Sequence, residues 1–119
     1  MAQIKFQLKD GGIGTSLLAL DSHPPHDLQC TDLFNLSQAE RVVTMHQQFI
    51  NAGARLITSN TFCCDPESLK GSGYEDKLQE LAQKGAQLAR QAAHPETQVL
   101  GSLGPGWKSP SRHEVSIAS

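Results

Sequence analysis

The sequence predicts an α/β fold in which parallel strands are covered by crossover helices, and two observations carry that prediction. One is a change of hydrophobic period, from two in Ile4-Lys5-Phe6-Gln7-Leu8-Lys9 to a mix of three and four over Leu78, Leu81, Ala82, Gly85, Leu88, Ala89 and Ala92. The other is the order of such segments along the chain: strand, loop and helix, strand, helix, strand. Neighbouring parallel strands need a crossover of a dozen or more residues, which a helix supplies.

The first strand, Ile4 to Lys9, runs into the glycine-rich turn Asp10-Gly11-Gly12-Ile13-Gly14-Thr15, where a ligand or a neighbouring chain can come close to the backbone. From Leu20 to Asn35 no period is sustained, and Pro24-Pro25 mark an irregular loop. Ser37-Gln38-Ala39-Glu40 fits a capping box, so a helix is expected to open at Ser37, with Val42, Met45, Phe49 and Ile50 as its apolar stripe. Gly53 stands where a left-handed C-terminal cap is wanted, and Ala54 to Asn60 reads as a second strand. In the helix predicted from Leu78 to Ala92, the small residues at 82, 85, 89 and 92 call for close packing on a sheet, and Glu80 and Lys84 form a favourable i,i+4 pair. Pro95 ends it. Gln98 to Pro105 reads as a third strand passing into a turn, and after Trp107 residues 108–119 carry no periodic signal and are expected to be a frayed tail. In this architecture the chemistry belongs at the carboxyl ends of the strands, which puts Asp10-Gly11-Gly12, Asn60-Thr61-Phe62 and Gly101 to Pro105 around one mouth.

Composition narrows the function classes. A formal charge of −2 argues against nucleic acid as the main partner. With 38% hydrophobic and 18% charged residues the chain is neither fatty enough for a bilayer nor charged enough for a solvated tail. No apolar run approaches the roughly 18 residues of a membrane span, and the start lacks the pattern of a secretory signal, so a cytoplasmic location is expected. Cys30, Cys63 and Cys64 are odd in number and two are neighbours, a poor basis for disulfides and a fit to reduced thiols.

Four stretches together carry a family likeness. Asp10-Gly11-Gly12-Ile13-Gly14-Thr15, His46 with Ala52-Gly53-Ala54, Ser59-Asn60-Thr61-Phe62, and Gly101-Ser102-Leu103-Gly104-Pro105 resemble the amino-terminal part of the homocysteine S-methyltransferase family. Asp32-Leu33-Phe34-Asn35-Leu36-Ser37 is most similar to the homocysteine-binding module of the family's cobalamin-dependent members. The resemblance implies the amino-terminal portion of a TIM (β/α)8 barrel, with about three of its parallel strands and the barrel incomplete. Residues 1–119 would then form a partial homocysteine-binding domain. It further implies an enzyme that holds the homocysteine thiol on zinc as a thiolate and passes the sulfur a methyl group, giving methionine. A free thiol titrates near pH 8.5, so a metal is what makes the thiolate available at neutral pH. The methyl source, methylcobalamin, betaine or S-methylmethionine, stays open.

Carried onto this sequence, the resemblance assigns Asp10 to the amino group of homocysteine through a charge-assisted hydrogen bond, with Gly11 and Gly12 giving backbone clearance. Asn60 and Thr61 are expected to line the same mouth, and Gly101, Gly104 and Pro105 to shape the next rim. It assigns no catalytic or metal-binding residue here. The family's zinc cysteines, one alone and two adjacent, belong to the later half of the barrel, so this chain alone is expected to be inactive. Cys63-Cys64 imitates the adjacent pair but follows the second strand.

Plainer readings stand beside these. Asp10 also fits a residue capping its own turn, Cys63 and Cys64 fit half-buried inert thiols with no ligand at useful spacing, and His46 fits a packing histidine. His23 and His26 flank two prolines in a loop, a weak basis for a metal, and the glycines at 11, 12 and 14 lack the Gly-Lys-Ser/Thr of a phosphate loop. The competing function is a non-catalytic α/β module that assembles through its open sheet edge, with itself or with a carboxy-terminal partner segment. An aldolase-type barrel enzyme is disfavoured, since no lysine stands at a strand end as a Schiff base would require.

Overall fold

The structure is a computed structural model, and it describes residues 6–20 and 30–104. Its centre is a parallel ladder. Strand β1 (Leu56–Thr58) pairs with β2 (Gln98–Leu100) in the register Leu56 to Gln98, Ile57 to Val99 and Thr58 to Leu100. On the other side of β1, Lys9 makes one parallel bridge to Leu56. There the Leu8 carbonyl accepts the Leu56 N–H at 3.1 Å, and the Leu56 carbonyl accepts the Asp10 N–H at 3.0 Å. Three segments therefore run in one direction, as the alternation of elements predicts.

The first of them is shorter than expected. Only Lys9 enters the ladder, and Phe6 and Leu8 are 86% and 61% exposed. The reason is the length of β1, whose three residues leave few ladder positions for a neighbour. Ile4 and Lys5, the loop with His23 and His26, and the stretch from Pro105 through Trp107 to the expected tail lie outside the described residues. The described residues hold a two-stranded parallel sheet and four helices, a small α/β arrangement that is coarser than a barrel.

Two of the helices fall where no period was legible. Helix α1 (Ile13–Ala19) follows the glycine turn directly, and Leu17 drives it inward, fully buried among Phe34, Val42, Met45 and Leu88. A 3₁₀ turn at Thr31–Leu33 leads into α2 (Phe34–Ser37), a single helical turn. That turn corrects the capping-box expectation. The Ser37 hydroxyl donates back to the Leu33 carbonyl at 3.1 Å, so Ser37 closes α2 and does not cap the next helix. Helix α3 (Ala39–Asn51) instead starts at Gln38, whose side chain makes no capping bond.

The end of α3 is as the sequence suggests. Gly53 has φ 111°, the Ala54 N–H donates to the Phe49 carbonyl and the Gly53 N–H to the Ile50 carbonyl, both at 3.0 Å, which is a Schellman closure. It reverses the chain straight into β1. Helix α4 (Leu78–Ala92) buries Leu81, Gly85, Leu88, Ala89 and Ala92, its predicted stripe. Its surface pair differs from expectation: Glu80 meets Lys77 at 3.5 Å, one turn back, rather than Lys84.

Ile57 of β1 is fully buried with Ala54 and Ala89, and Val99 packs against them, so one face of the sheet is covered by α3 and α4. The alternate residue Leu100 is 39% exposed on the opposite face. Close approach of α4 depends on Gly85. A Cβ there would lie 2.6 Å from Thr61 Cγ2, 2.7 Å from Asn35 Nδ2 and 3.1 Å from the Asn60 carbonyl oxygen. Gly85→Ala should therefore lower the unfolding free energy, and with it the urea midpoint, because roughly 1–3 kcal/mol of overpacking outweighs the gain of about 1 kcal/mol in helix propensity. A midpoint at or above wild type would refute this packing.

Candidate functional site

The carboxyl ends of the three segments open into a cleft of about 480 Å³. Gly11, Asn60 and Thr61 line it, together with Lys9, Thr58, Ser59, Ser102 and, from the neighbouring turns, Thr31, Asp32 and Cys63. Asp10 and the glycines at 12, 101 and 104, also expected there, are not part of this lining. Gly12 is the N-cap of α1, Gly104 lies against the Phe62 carbonyl, and Gly101 faces open space.

Asp10 supports the floor. The N–H of Thr58 is the next donor in the ladder, and the Asp10 carboxylate takes it, Oδ2 accepting at 2.7 Å, while Oδ1 accepts the Thr58 hydroxyl at 2.8 Å. The ladder thus ends on a side chain instead of a backbone carbonyl. Lys9 Nζ donates to Oδ1 at 3.1 Å, leaving the Asp10 side chain 0% exposed beneath a lysine that is itself 51% exposed. The cation over Asp10 belongs to a residue of the cleft wall.

The Ser59-Asn60-Thr61 turn is held by buried amides. Asn35 Nδ2 donates to the Asn60 carbonyl at 2.7 Å and to the Leu81 carbonyl at 3.1 Å, and Asn60 Nδ2 donates to Asn35 Oδ1 and to the Thr31 carbonyl, both at 3.0 Å. Thr61 Oγ1 donates to the Ser102 carbonyl at 2.7 Å, and the Ser102 N–H donates to Ser59 Oγ at 3.2 Å, tying the tips of β1 and β2 together.

The sequence reading missed one constellation. The sulfurs of Cys30 and Cys63 and a carboxylate oxygen of Asp32 all lie within 4.8 Å of one another, brought together from either side of α2 and α3. Asp32 Oδ2 also accepts the Cys63 N–H at 2.6 Å and the Cys64 thiol at 3.4 Å. Burial pushes the Asp32 carboxyl up to about 6. The proximity of the two thiols shifts them in opposite directions, raising Cys30 and holding Cys63 below the ordinary thiol range. Burial, with Asp32 alongside, pushes Cys64 up to about 12. Separation in sequence hides the set, because Asp32 and Cys63 stand 31 positions apart.

His46 is fully buried on α3, and neither ring nitrogen has a hydrogen-bond partner among the described residues. Burial lowers it to about 4, against a smaller opposing pull from Asp10, so the ring is neutral at pH 7.

A model of the homocysteine S-methyltransferase family matches residues 7–118. The chain belongs to this family. A methionine synthase of Mycobacterium leprae (strain TN) is 35% identical over 112 residues, covering 86% of this chain and 9% of that protein. A methionine synthase of Mycobacterium tuberculosis (strain ATCC 25618 / H37Rv) is 34% identical over 119 residues, covering 92% of this chain and 10% of that protein. The chain spans about a tenth of the length of these relatives. Within the family match fall both the cleft and the Cys30, Asp32, Cys63 set. No helix among the described residues is long and apolar enough to cross a membrane.

His46 gives this fold a pH dependence. Between about pH 6.5 and about 4 the unfolded chain binds a proton that the folded ring refuses, so its contribution to stability, whole above 6.5, is lost as pH falls. Asp32 acts oppositely over nearly the same interval, since the folded carboxyl takes its proton first. The difference between wild type and His46→Leu isolates the histidine. On going from pH 7 to pH 4.5 the variant should gain roughly 2 kcal/mol relative to wild type in urea unfolding. A pH-independent difference would refute a neutral buried ring.

Proposed function

We propose that this cleft receives the amino-acid end of homocysteine, and that the chain contributes part of the substrate pocket of a homocysteine S-methyltransferase. The observation that carries the reading is the contact of Lys9 Nζ with Asp10 Oδ1 at 3.1 Å. An ammonium already occupies the position in which Asp10 would meet the substrate's own ammonium. Lys9 is half exposed on a flexible stem, so its displacement would open Oδ1 while Oδ2 stays on the Thr58 N–H. The freed Lys9 cation would then be at hand for the substrate carboxylate. Gly11 gives the backbone clearance in this reading, Asn60 and Thr61 the polar wall, and Gly12, Gly101 and Gly104 the geometry of the turns behind it.

Size agrees with this assignment, since a cleft of about 480 Å³ suits an amino acid and not a corrin ring. Zinc and a methyl carrier such as cobalamin would act in a longer protein of the relatives' kind, with the strands described here as the start of a TIM barrel. Zinc there would supply the thiolate form of homocysteine at neutral pH. The residues of this chain bind and orient the amino acid at the other end. A cytoplasmic setting fits the three free thiols.

A second reading draws on Leu100, Phe62 and Leu103, which are exposed at 39%, 55% and 92% near the carboxyl end of the sheet. Further strands added at β2 would cover such a surface, whether from a second copy or from a carboxy-terminal segment.

The test is a homocysteine titration followed by amide shifts. Shifts should concentrate at Gly11 and Thr58 to Thr61. Asp10→Asn should weaken binding by roughly tenfold to a hundredfold, the worth of a charge-assisted bond, and Lys9→Met, which removes the competing ammonium together with the carboxylate's partner, should change it less. Binding indifferent to Asp10→Asn would overturn the assignment.

A further inference from the structure

We propose that Cys30, Asp32 and Cys63 form a binding site for a soft divalent cation such as zinc, on the wall of the cleft and built from ligands other than the late-barrel cysteines that the family resemblance implies. Two thiols and a carboxylate are the donor types that zinc takes, and they converge from two separate turns. Tetrahedral zinc with sulfur at about 2.3 Å and oxygen at about 2.1 Å needs donors spaced by roughly 3.5–3.8 Å. The present limit of 4.8 Å is about 1 Å beyond that, within reach of small side-chain rotations.

The surroundings are arranged as a supporting shell. The Cys63 N–H and the Cys64 thiol both donate to Asp32 Oδ2, which fixes the carboxylate plane, and the Asn60 bond to the Thr31 carbonyl pins the Cys30 turn to the end of β1. Entry is available, because Asp32 and Cys63 both face the cleft. That side also leaves the fourth coordination position to water. Binding replaces two S–H bonds by two metal–thiolate bonds and releases two protons to solvent, with no change of oxidation state.

This site stands independently of homocysteine binding, and metal alone probes it. Cobalt(II) added to the reduced full chain, in a phosphine reductant, should give thiolate-to-cobalt charge-transfer absorption and tetrahedral d–d bands that saturate at one equivalent. Zinc should bleach both bands. Cys63→Ser and Cys30→Ser should each weaken binding more than about a hundredfold, Asp32→Asn about tenfold or more, and Cys64→Ser should leave one equivalent bound. On the unmutated chain, zinc should slow alkylation of Cys63 and leave that of Cys64 within about twofold, a reading that does not depend on any variant folding. Absence of the charge-transfer band in wild type, its survival in Cys63→Ser, or equal protection of Cys63 and Cys64 would overturn the site.

Discussion

The arrangement depends on a buried amide pair. Asn35 and Asn60 use all four of their side-chain N–H donors, on each other, on the Leu81 carbonyl of α4 and on the Thr31 carbonyl. Both residues are buried, so each donor left without a partner would cost roughly 1–3 kcal/mol. Satisfying them together requires that the 3₁₀ turn, the end of β1 and α4 meet at one point, and Gly85 is the place where α4 comes close enough. The cleft is a by-product of that junction. Its wall from Thr31 to Asp32 and its wall from Ser59 to Cys63 are the two sides of the same knot.

Two carboxylates at this cleft live in different surroundings. Asp10 receives an N–H, a hydroxyl and an ammonium, a set that satisfies a negative charge. Asp32 receives an N–H and a thiol, and burial outweighs them. One acid is thus matched by a cation of the protein itself, whereas the other is buried beside three sulfurs. This difference distinguishes the two roles proposed for them without appeal to position in the sequence.

What the sequence made legible was whatever is periodic or local. Helix α4 is read from Leu81, Leu88 and Ala92, and the Gly53 closure from a glycine just past the apolar stripe of α3. The parallel direction of the segments followed from the order of elements and appears in the register of β1 with β2. Helix α1 escaped notice because Gly14, Thr15 and Ser16 are poor helix formers, and burial of Leu17 supplies the stabilisation that propensity lacks. Ser37 misled because a capping motif cannot report that another helical turn stands directly before it. At the cleft, Gly11, Asn60 and Thr61 were visible as strand-end residues, whereas the meeting of Cys30 and Asp32 with Cys63 is a tertiary event.

The bidentate grip of Asp10 on Thr58 has a consequence for how the chain assembles. The first segment shares a single bridge with β1, too little for an apolar pattern to decide which residue stands opposite which. The two carboxylate oxygens need an N–H and a hydroxyl on one residue, and the neighbours of Thr58 offer different chemistry: Ile57 has no hydroxyl, and the N–H of Ser59 points away to the Leu100 carbonyl. Alignment of the leading segment is thereby keyed by polar chelation, like a lock with two pins, and sliding by one residue leaves an anion stranded.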